Sequence, residues 1–203
     1  MPLLPDTEDE VRRKAEAADW DAATSAALRG YGTEILELLV ALHRDEAHAS
    51  DVFAMFAEGV WRGLARFQWE SSLRTWLYAV ARRTSLRYRR DGRRKSAREE
   101  ALPEGSNASI LVAKARSQTA SYFRTERRSR IAALRDSLPH EDQALLMLRV
   151  DRQLAWNELA VVLNDGEDLD EAAVKKESAR LRKRFQLVKE KLHALAKSEG
   201  LAP

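Results

Sequence analysis

The apolar residues of this chain recur at intervals of three and four over most of its length, which is the period of an amphipathic helix. The pattern predicts one helix over Thr33–His43 and a second that begins at Ser50 or Asp51, both good N-cap residues. A polar loop over Phe67–Ser72 separates these from a third helix. The apolar stripe of the second helix comprises Val52, Phe53, Phe56, Val60 and Leu64. That of the third comprises Leu73, Trp76, Leu77, Val80, Ala81 and Thr84.

The pattern weakens after residue 95, where Pro, Gly, Ser and Asn replace large apolar residues, and this segment is interpreted as a linker. Beyond it, short helices are expected over Glu141–Val150 and Leu154–Leu163. A long basic helix should start at Ala172 or Ser178 and end at Ala196. The sequence therefore predicts an all-α protein with two helical domains joined by a flexible linker. The expected domains are an N-terminal extension (1–24), the two helical domains (25–95 and 129–196), the linker (96–128) and a tail (197–203).

Positive charge is concentrated in two segments, although Lys and Arg outnumber Asp and Glu by only 35 to 32. Eight basic residues and one acidic residue lie in Arg82–Lys95, and eight basic and two acidic residues lie in Val174–Lys191. Each basic segment follows an apolar helical stripe. Local basic patches of this kind are typical of nucleic-acid binding.

Several classes of function are excluded or disfavoured. The chain has no cysteine, which excludes disulfides, thiol catalysis and Cys-ligated zinc. No phosphate-binding Gly loop, metal-ligand cluster or nucleophile with a base is found, and the four histidines are expected to be at the surface or hydrogen-bonded. We expect no enzymatic activity, no metal and no cofactor. No apolar run approaches the ~20 residues of a membrane span, and Met1–Trp20 lacks a signal-peptide core, so a soluble, cytoplasmic protein is expected.

Aromatic and basic residues meet in the segment from residue 66 to 90. Trp69 lies in the polar loop, where no core is evident for it. On a helical wheel, Arg74, Tyr78, Arg82 and Arg89 share one flank of the following helix, which predicts a track for phosphates with Tyr78 as a stacking ring. Aromatic rings beside dense positive charge are typical of single-strand binding, because bases stack and cations neutralise the phosphates.

Two parts of the chain resemble a known family. The strings DVFAMFAEGVWRGL (51–64) and FQWESSLRTWLY (67–78) resemble region 2 of the extracytoplasmic-function (ECF) group of sigma-70-type sigma factors. The strings SLPHEDQALLMLR (137–149) and LAWNELA (154–160) resemble region 4 of the same family, which is a helix-turn-helix. The two resemblances follow the family's order and together cover about residues 25–95 and 130–196.

The resemblance implies a dissociable subunit of bacterial RNA polymerase that recognises promoter DNA, melts the −10 element and initiates transcription. The helix at 51–64 would bind core polymerase, through Asp51, Phe53, Phe56, Trp61 and Arg62. The −10 element would be bound by the loop and the following helix, through Phe67, Gln68, Trp69, Glu70, Ser71, Ser72, Arg74, Tyr78, Arg82 and Arg89. The −35 element would be bound in the major groove by the last helix, through Arg182, Lys183 and Gln186 at base edges and Lys175, Lys176, Arg180 and Arg184 at phosphates.

The chain departs from the family's pattern at three places. Ala54 and Met55 stand where the family usually has Gln-Glu, and Arg83 stands where it often has Asn. Residues 164–177 are an insertion before the recognition helix, which either lengthens that helix backward or forms its own turn.

Two alternatives stay open. A stand-alone helix-turn-helix regulator of transcription would bind duplex DNA without polymerase, and would not need the 51–90 segment. An RNA-binding or adaptor protein could use the same basic helices. The sequence also leaves open whether an anti-sigma factor is a further partner.

Overall fold

In a computed structural model, the protein is described over residues 5–91, 130–164 and 169–200, and all regular structure in these ranges is helical. The chain divides into two compact units between Phe123 and Arg124. The prediction of an all-α protein with two helical domains is therefore confirmed. The predicted linker at 96–128 lies outside the described residues. Among the described residues, no helix combines the length and the hydropathy that a transmembrane span requires.

The first unit contains four helices. They are α1 (Pro5–Glu16), α2 (Trp20–His43), α3 (Glu46–Gly63), which continues in a 3-10 turn over Leu64–Arg66, and α4 (Leu73–Arg90). Side chains cap the starts of three of them: Asp19, Asp45 and Ser72 accept hydrogen bonds from backbone N–H groups in the first turns of α2, α3 and α4. These caps satisfy donors that a helix start otherwise leaves unpaired.

Two helices of this unit begin earlier than predicted. The expected start of α2 at Thr33 is wrong by thirteen residues, because the preceding turns are rich in alanine, which favours helix but leaves no large apolar stripe. The expected start of α3 at Ser50 or Asp51 is also wrong, because Asp45 supplies the cap instead. The ends of the Phe67–Ser72 loop and the start of α4 agree with the sequence prediction.

The core of the first unit lies where α2, α3 and α4 meet. All five apolar residues predicted for the α3 stripe are buried, and so are Leu73, Leu77, Val80 and Ala81 of α4. Trp76 and Thr84 are only half-buried. Helix α1 packs on α2 and buries Val11 completely. The segment expected to be an N-terminal extension thus contributes to the core.

The second unit is built around its longest helix. It contains α5 (Arg130–Asp136), α6 (His140–Leu146), which continues in a π-helical turn over Met147–Asp151, α7 (Trp156–Leu163) and α8 (Glu171–Ser198). Its buried residues include Leu145, Leu148, Leu159, Leu181 and Val188. Pro139 lies immediately before α6, as expected of a residue that cannot occupy a helix interior.

Residues 171–177 of the inserted segment are helical. Helix α8 begins at Glu171, where the Asp170 carboxylate accepts a hydrogen bond from the backbone N–H of Ala173 at 2.7 Å. The second half of the insertion therefore extends the long helix toward its N-terminus. The Ser178 hydroxyl donates to the backbone carbonyl of Trp156 at 3.0 Å, which fixes α8 to the start of α7.

Candidate nucleic-acid interface

Three aromatic rings from the loop and from α4 form one cluster, which we call the loop aromatic cluster: Phe67, Trp69 and Trp76. The ring of Phe67 stacks on that of Trp76, with centroids 4.9 Å apart and planes 26° apart, and lies 4.8 Å from the ring of Trp69. Trp76 in turn packs on Gly63, where an added Cβ would approach the indole to 3.0 Å. The loop thus presents a half-buried aromatic surface at the start of α4.

Trp69 has a left-handed backbone conformation, with φ of 61°. This conformation is uncommon for a bulky residue and costs on the order of 1 kcal/mol or more. Contacts of its ring offset that cost: Phe67 lies on it, and the guanidinium carbon of Arg12 lies 5.4 Å from its centroid. The loop therefore holds Trp69 in one defined position.

Helix α1 also contacts the start of α4. One carboxylate oxygen of Glu8 accepts a hydrogen bond from the backbone N–H of Leu73 at 3.1 Å, and the Ser72 hydroxyl accepts one from the N–H of Thr75 in the same turn. A carboxylate at this position interacts favourably with the partial positive charge of a helix N-terminus. Sequence reasoning missed Glu8 and Arg12, because α1 has no aromatic residue and its three basic residues follow an acidic stretch.

The predicted phosphate track on α4 is wrong in its placement of three residues. Tyr78 is 0% and Arg82 2% exposed, so neither side chain lies on the surface flank. Arg74 forms a two-pronged ion pair with Glu34 of α2 and lies 5.3 Å from the Tyr78 ring centroid. Of the four predicted track residues only Arg89 is exposed, and it lies near the C-terminal end of α4 together with exposed Arg87 and Arg90.

The five residues assigned to polymerase binding on α3 divide into two groups. Phe53 and Phe56 are 2% and 1% exposed, which corrects their assignment as a contact surface: their rings pack against each other in the core. Arg62 is exposed, while Asp51 and Trp61 are half-buried. Asp51 accepts a long hydrogen bond of 3.5 Å from the Tyr88 hydroxyl, so one side of it faces α4.

Two histidines meet beside Tyr88, although their sequence spacing would not bring them to one helix face. His43 at the end of α2 bonds to the Ser85 hydroxyl at 2.8 Å, and His48 of α3 bonds to the Tyr88 hydroxyl at 2.7 Å. Both imidazoles lie 5.7 Å from the Tyr88 ring centroid. Burial, together with the positive charge of Arg89, lowers the pKa of His43 to about 4. The His43 imidazole is therefore neutral at pH 7.

In the second unit, the outer face of α8 carries the residues predicted to read DNA. Lys175, Lys176, Arg182, Lys183 and Gln186 are exposed on it. The two other predicted contacts form ion pairs. The guanidinium of Arg180, which is also exposed, pairs with Glu177 of the same helix at 2.6 Å, and that of Arg184 pairs with Asp142 of α6 at 2.7 Å.

The ring of Trp156, the first residue of α7, is contacted by two arginine side chains. The guanidinium carbon of Arg149 lies 4.8 Å from its ring centroid, and that of Arg182 lies 5.7 Å away. Phe185 packs edge-on against the same ring at 5.6 Å. Arg182 is thus held beside α7 as well as exposed on α8.

The first unit therefore combines a helical bundle with an aromatic loop and a helix that ends in exposed arginines, an arrangement suited to binding single-stranded nucleic acid. Residues 28–95 match the family model of sigma-70 region 2. The matched segment contains α2 from Leu28 onward, α3, the loop and α4, and in this segment the chain is similar to the sigma-70 family. No curated protein and no solved structure matches the chain. Helix α1 and the whole second unit lie outside the matched segment.

Proposed function

We propose that this chain is an ECF-type sigma factor, a dissociable subunit of bacterial RNA polymerase that directs promoter recognition, opens the −10 element and initiates transcription. The observation that carries the proposal is the match of residues 28–95 to sigma-70 region 2, within which the aromatic loop adjoins α4. A stand-alone helix-turn-helix regulator would have no use for this segment.

The loop aromatic cluster supports a role on unpaired DNA. Extruding a base from duplex DNA costs a few kcal/mol, and stacking on an aromatic ring returns roughly 1–3 kcal/mol per base. Phe67 and Trp69 are half-buried and held in place, so little ordering cost remains when a base binds. The neighbouring loop residues Gln68 and Glu70 are exposed and can hydrogen-bond to a base edge.

The second unit would bind the −35 element in the major groove through α8. Helix α7 ends at Leu163 and α8 begins at Glu171, and α8 presents Arg182, Lys183 and Gln186, whose donors suit base edges. Lys175 and Lys176 lie on the two added turns of α8 and would contact phosphates. The insertion would thus enlarge the surface on duplex DNA.

A sigma-factor role also has consequences for enzymatic activity, location and partners. Catalysis would belong to the polymerase, so the chain would have no enzymatic activity of its own. It would act in the cytoplasm, where core polymerase and the promoter are. An anti-sigma factor would be a further partner if the exposed face of α3 is covered when the protein is inactive.

Gel filtration of the full chain with bacterial core RNA polymerase tests the proposal. We expect the wild-type chain to co-elute with core enzyme. Arg62→Glu should weaken co-elution, because Arg62 is exposed on α3, whereas Arg13→Glu on α1 should not. A wild-type chain that binds duplex DNA but never co-elutes with core would favour the stand-alone regulator and contradict the proposal.

A further inference from the structure

Helix α1 is firmly attached to the rest of the first unit. Its Val11 is completely buried against the bundle, and Thr7 packs on Gly30 of α2 so closely that a Cβ at residue 30 would lie 2.3 Å from the Thr7 methyl carbon. The helix therefore has a fixed position beside the loop.

One face of α1 is directed toward the loop and the start of α4. Glu8 and Arg12 are four residues apart and so lie on the same helix face. Glu8 binds the backbone N–H of Leu73, and Arg12 lies over the ring of Trp69. The Glu8 contact sets the register that brings Arg12 to the loop.

Arg12 is available to a ligand. Its side chain is 57% exposed, and its ion pair with Glu16, at 3.4 Å between Nε and Oε1, lies between two exposed groups. An ion pair between exposed side chains is weak, so an incoming phosphate can replace it. A planar guanidinium is also suited both to phosphate and to aromatic faces.

We propose that Arg12 is a nucleic-acid-binding residue, whose guanidinium binds the phosphate of a single-stranded nucleotide whose base stacks at the loop aromatic cluster. The single-strand site would then extend from the loop onto α1, outside the segment that matches sigma-70 region 2. The inference rests on the proposed role of the loop and adds to it the residue that supplies the charge next to the rings. Arg74 and Arg82 were predicted to bind phosphates next to the loop, but Arg74 is paired with Glu34 and Arg82 is buried. Arg12 would supply this phosphate contact instead.

The test is binding of the full chain to a fluorescein-labelled twelve-nucleotide oligo(dT), followed by anisotropy over a series of salt concentrations. A homopolymer suffices because a phosphate contact does not depend on sequence. Arg12→Ala should weaken binding about three- to tenfold and lower the slope of log affinity against log salt by about 0.7, the value for one phosphate on a single strand. Arg13→Ala is the matched control, an exposed arginine at the next position, and should change neither quantity. Arg12→Lys keeps the positive charge, so its slope of log affinity against log salt should be close to that of wild type.

The outcomes separate this inference from the proposed function. If Trp69→Ala weakens binding while Arg12→Ala behaves like Arg13→Ala, the inference is overturned and the role of the loop stands. If Arg12→Ala lowers the affinity but leaves the salt slope unchanged, Arg12 only positions Trp69. This result would also overturn the phosphate contact. If neither Trp69→Ala nor Arg12→Ala weakens binding, the loop is not a single-strand site and the proposed −10 function fails with the inference.

Discussion

Arg74 of α4 and Glu34 of α2 form a bidentate ion pair, in which Nε lies 2.9 Å from Oε1 and Nη2 lies 3.0 Å from Oε2. Both side chains are largely covered, at 17% and 23% exposure. The residue that a helical wheel places on a DNA-facing flank is therefore a link between two helices. Its neighbour Tyr31 is affected as well: burial raises the pKa of its hydroxyl, and the charges of Glu8 and Glu34 raise it further.

We predict that Arg74→Ala destabilises the first unit by about 2 kcal/mol, because a hydrogen-bonded charge pair is broken and Glu34 is left partly buried. Arg83→Ala, an exposed arginine of the same helix, should stay within about 0.5 kcal/mol of wild type. Urea unfolding measures both. Equal stability of the two variants would show that the ion pair contributes nothing.

Gly30→Ala should destabilise the protein, although alanine favours helix over glycine by up to about 1 kcal/mol. The new Cβ would lie within 3.2 Å of three atoms of Thr7, so rotating the threonine cannot relieve the contact and α1 must shift. Gly32→Ala is the matched control, since its Cβ would meet only the Phe53 ring at 3.6 Å. Thermal melting should show a lower Tm for the first variant and an equal or higher Tm for the second. A higher Tm for Gly30→Ala would contradict the close packing of α1.

His43 should make stability depend on pH. Its folded pKa of about 4 lies below the ordinary value of 6.5, so below pH 6.5 the unfolded chain binds the proton more readily. The neutral imidazole therefore contributes fully to the free energy of unfolding above pH 6.5, and this contribution is lost as the pH falls toward 4. Between pH 7.5 and 5, we expect the free energy of unfolding of wild type to fall by about 2 kcal/mol more than that of His43→Gln. Urea unfolding at the two pH values tests this, and an NMR titration of the His43 ring near pH 6.5 would refute it.

Lys183→Ala should change the preference among −35 sequences, because a base-edge contact is worth about 1–3 kcal/mol at one position. The double variant Lys175→Ala, Lys176→Ala should instead weaken binding to all sequences alike. It should also lower the slope of log affinity against log salt by the amount expected for about two phosphate contacts. Competition binding with a panel of duplexes distinguishes the two effects. If Lys183→Ala behaves like the double variant, α8 does not read bases in the proposed register.

Much of the helical framework could be predicted from the sequence, because the stripes of α3 and α4 consist of large apolar residues at regular spacing, and Ser72 is a strong cap. The same periodicity could not show that Tyr78 and Arg82 lie inside the bundle. Burial of a polar side chain depends on which neighbouring helix faces it, and the partner of Arg74 is forty residues away. Helix α1 was missed as part of the site for a related reason: Glu8 and Arg12 act on a loop some sixty residues later in the chain.

The most direct test of the account is strand opening at a promoter. A promoter would be selected from a random DNA library by transcription with core polymerase and the wild-type chain, and opening would be followed by permanganate reactivity of unpaired thymines. We expect wild type to open the −10 region, and Trp69→Ala to open it much more slowly while duplex binding falls little. Failure of the wild-type chain to support any promoter-dependent opening with core polymerase, or normal opening by Trp69→Ala, would contradict the account.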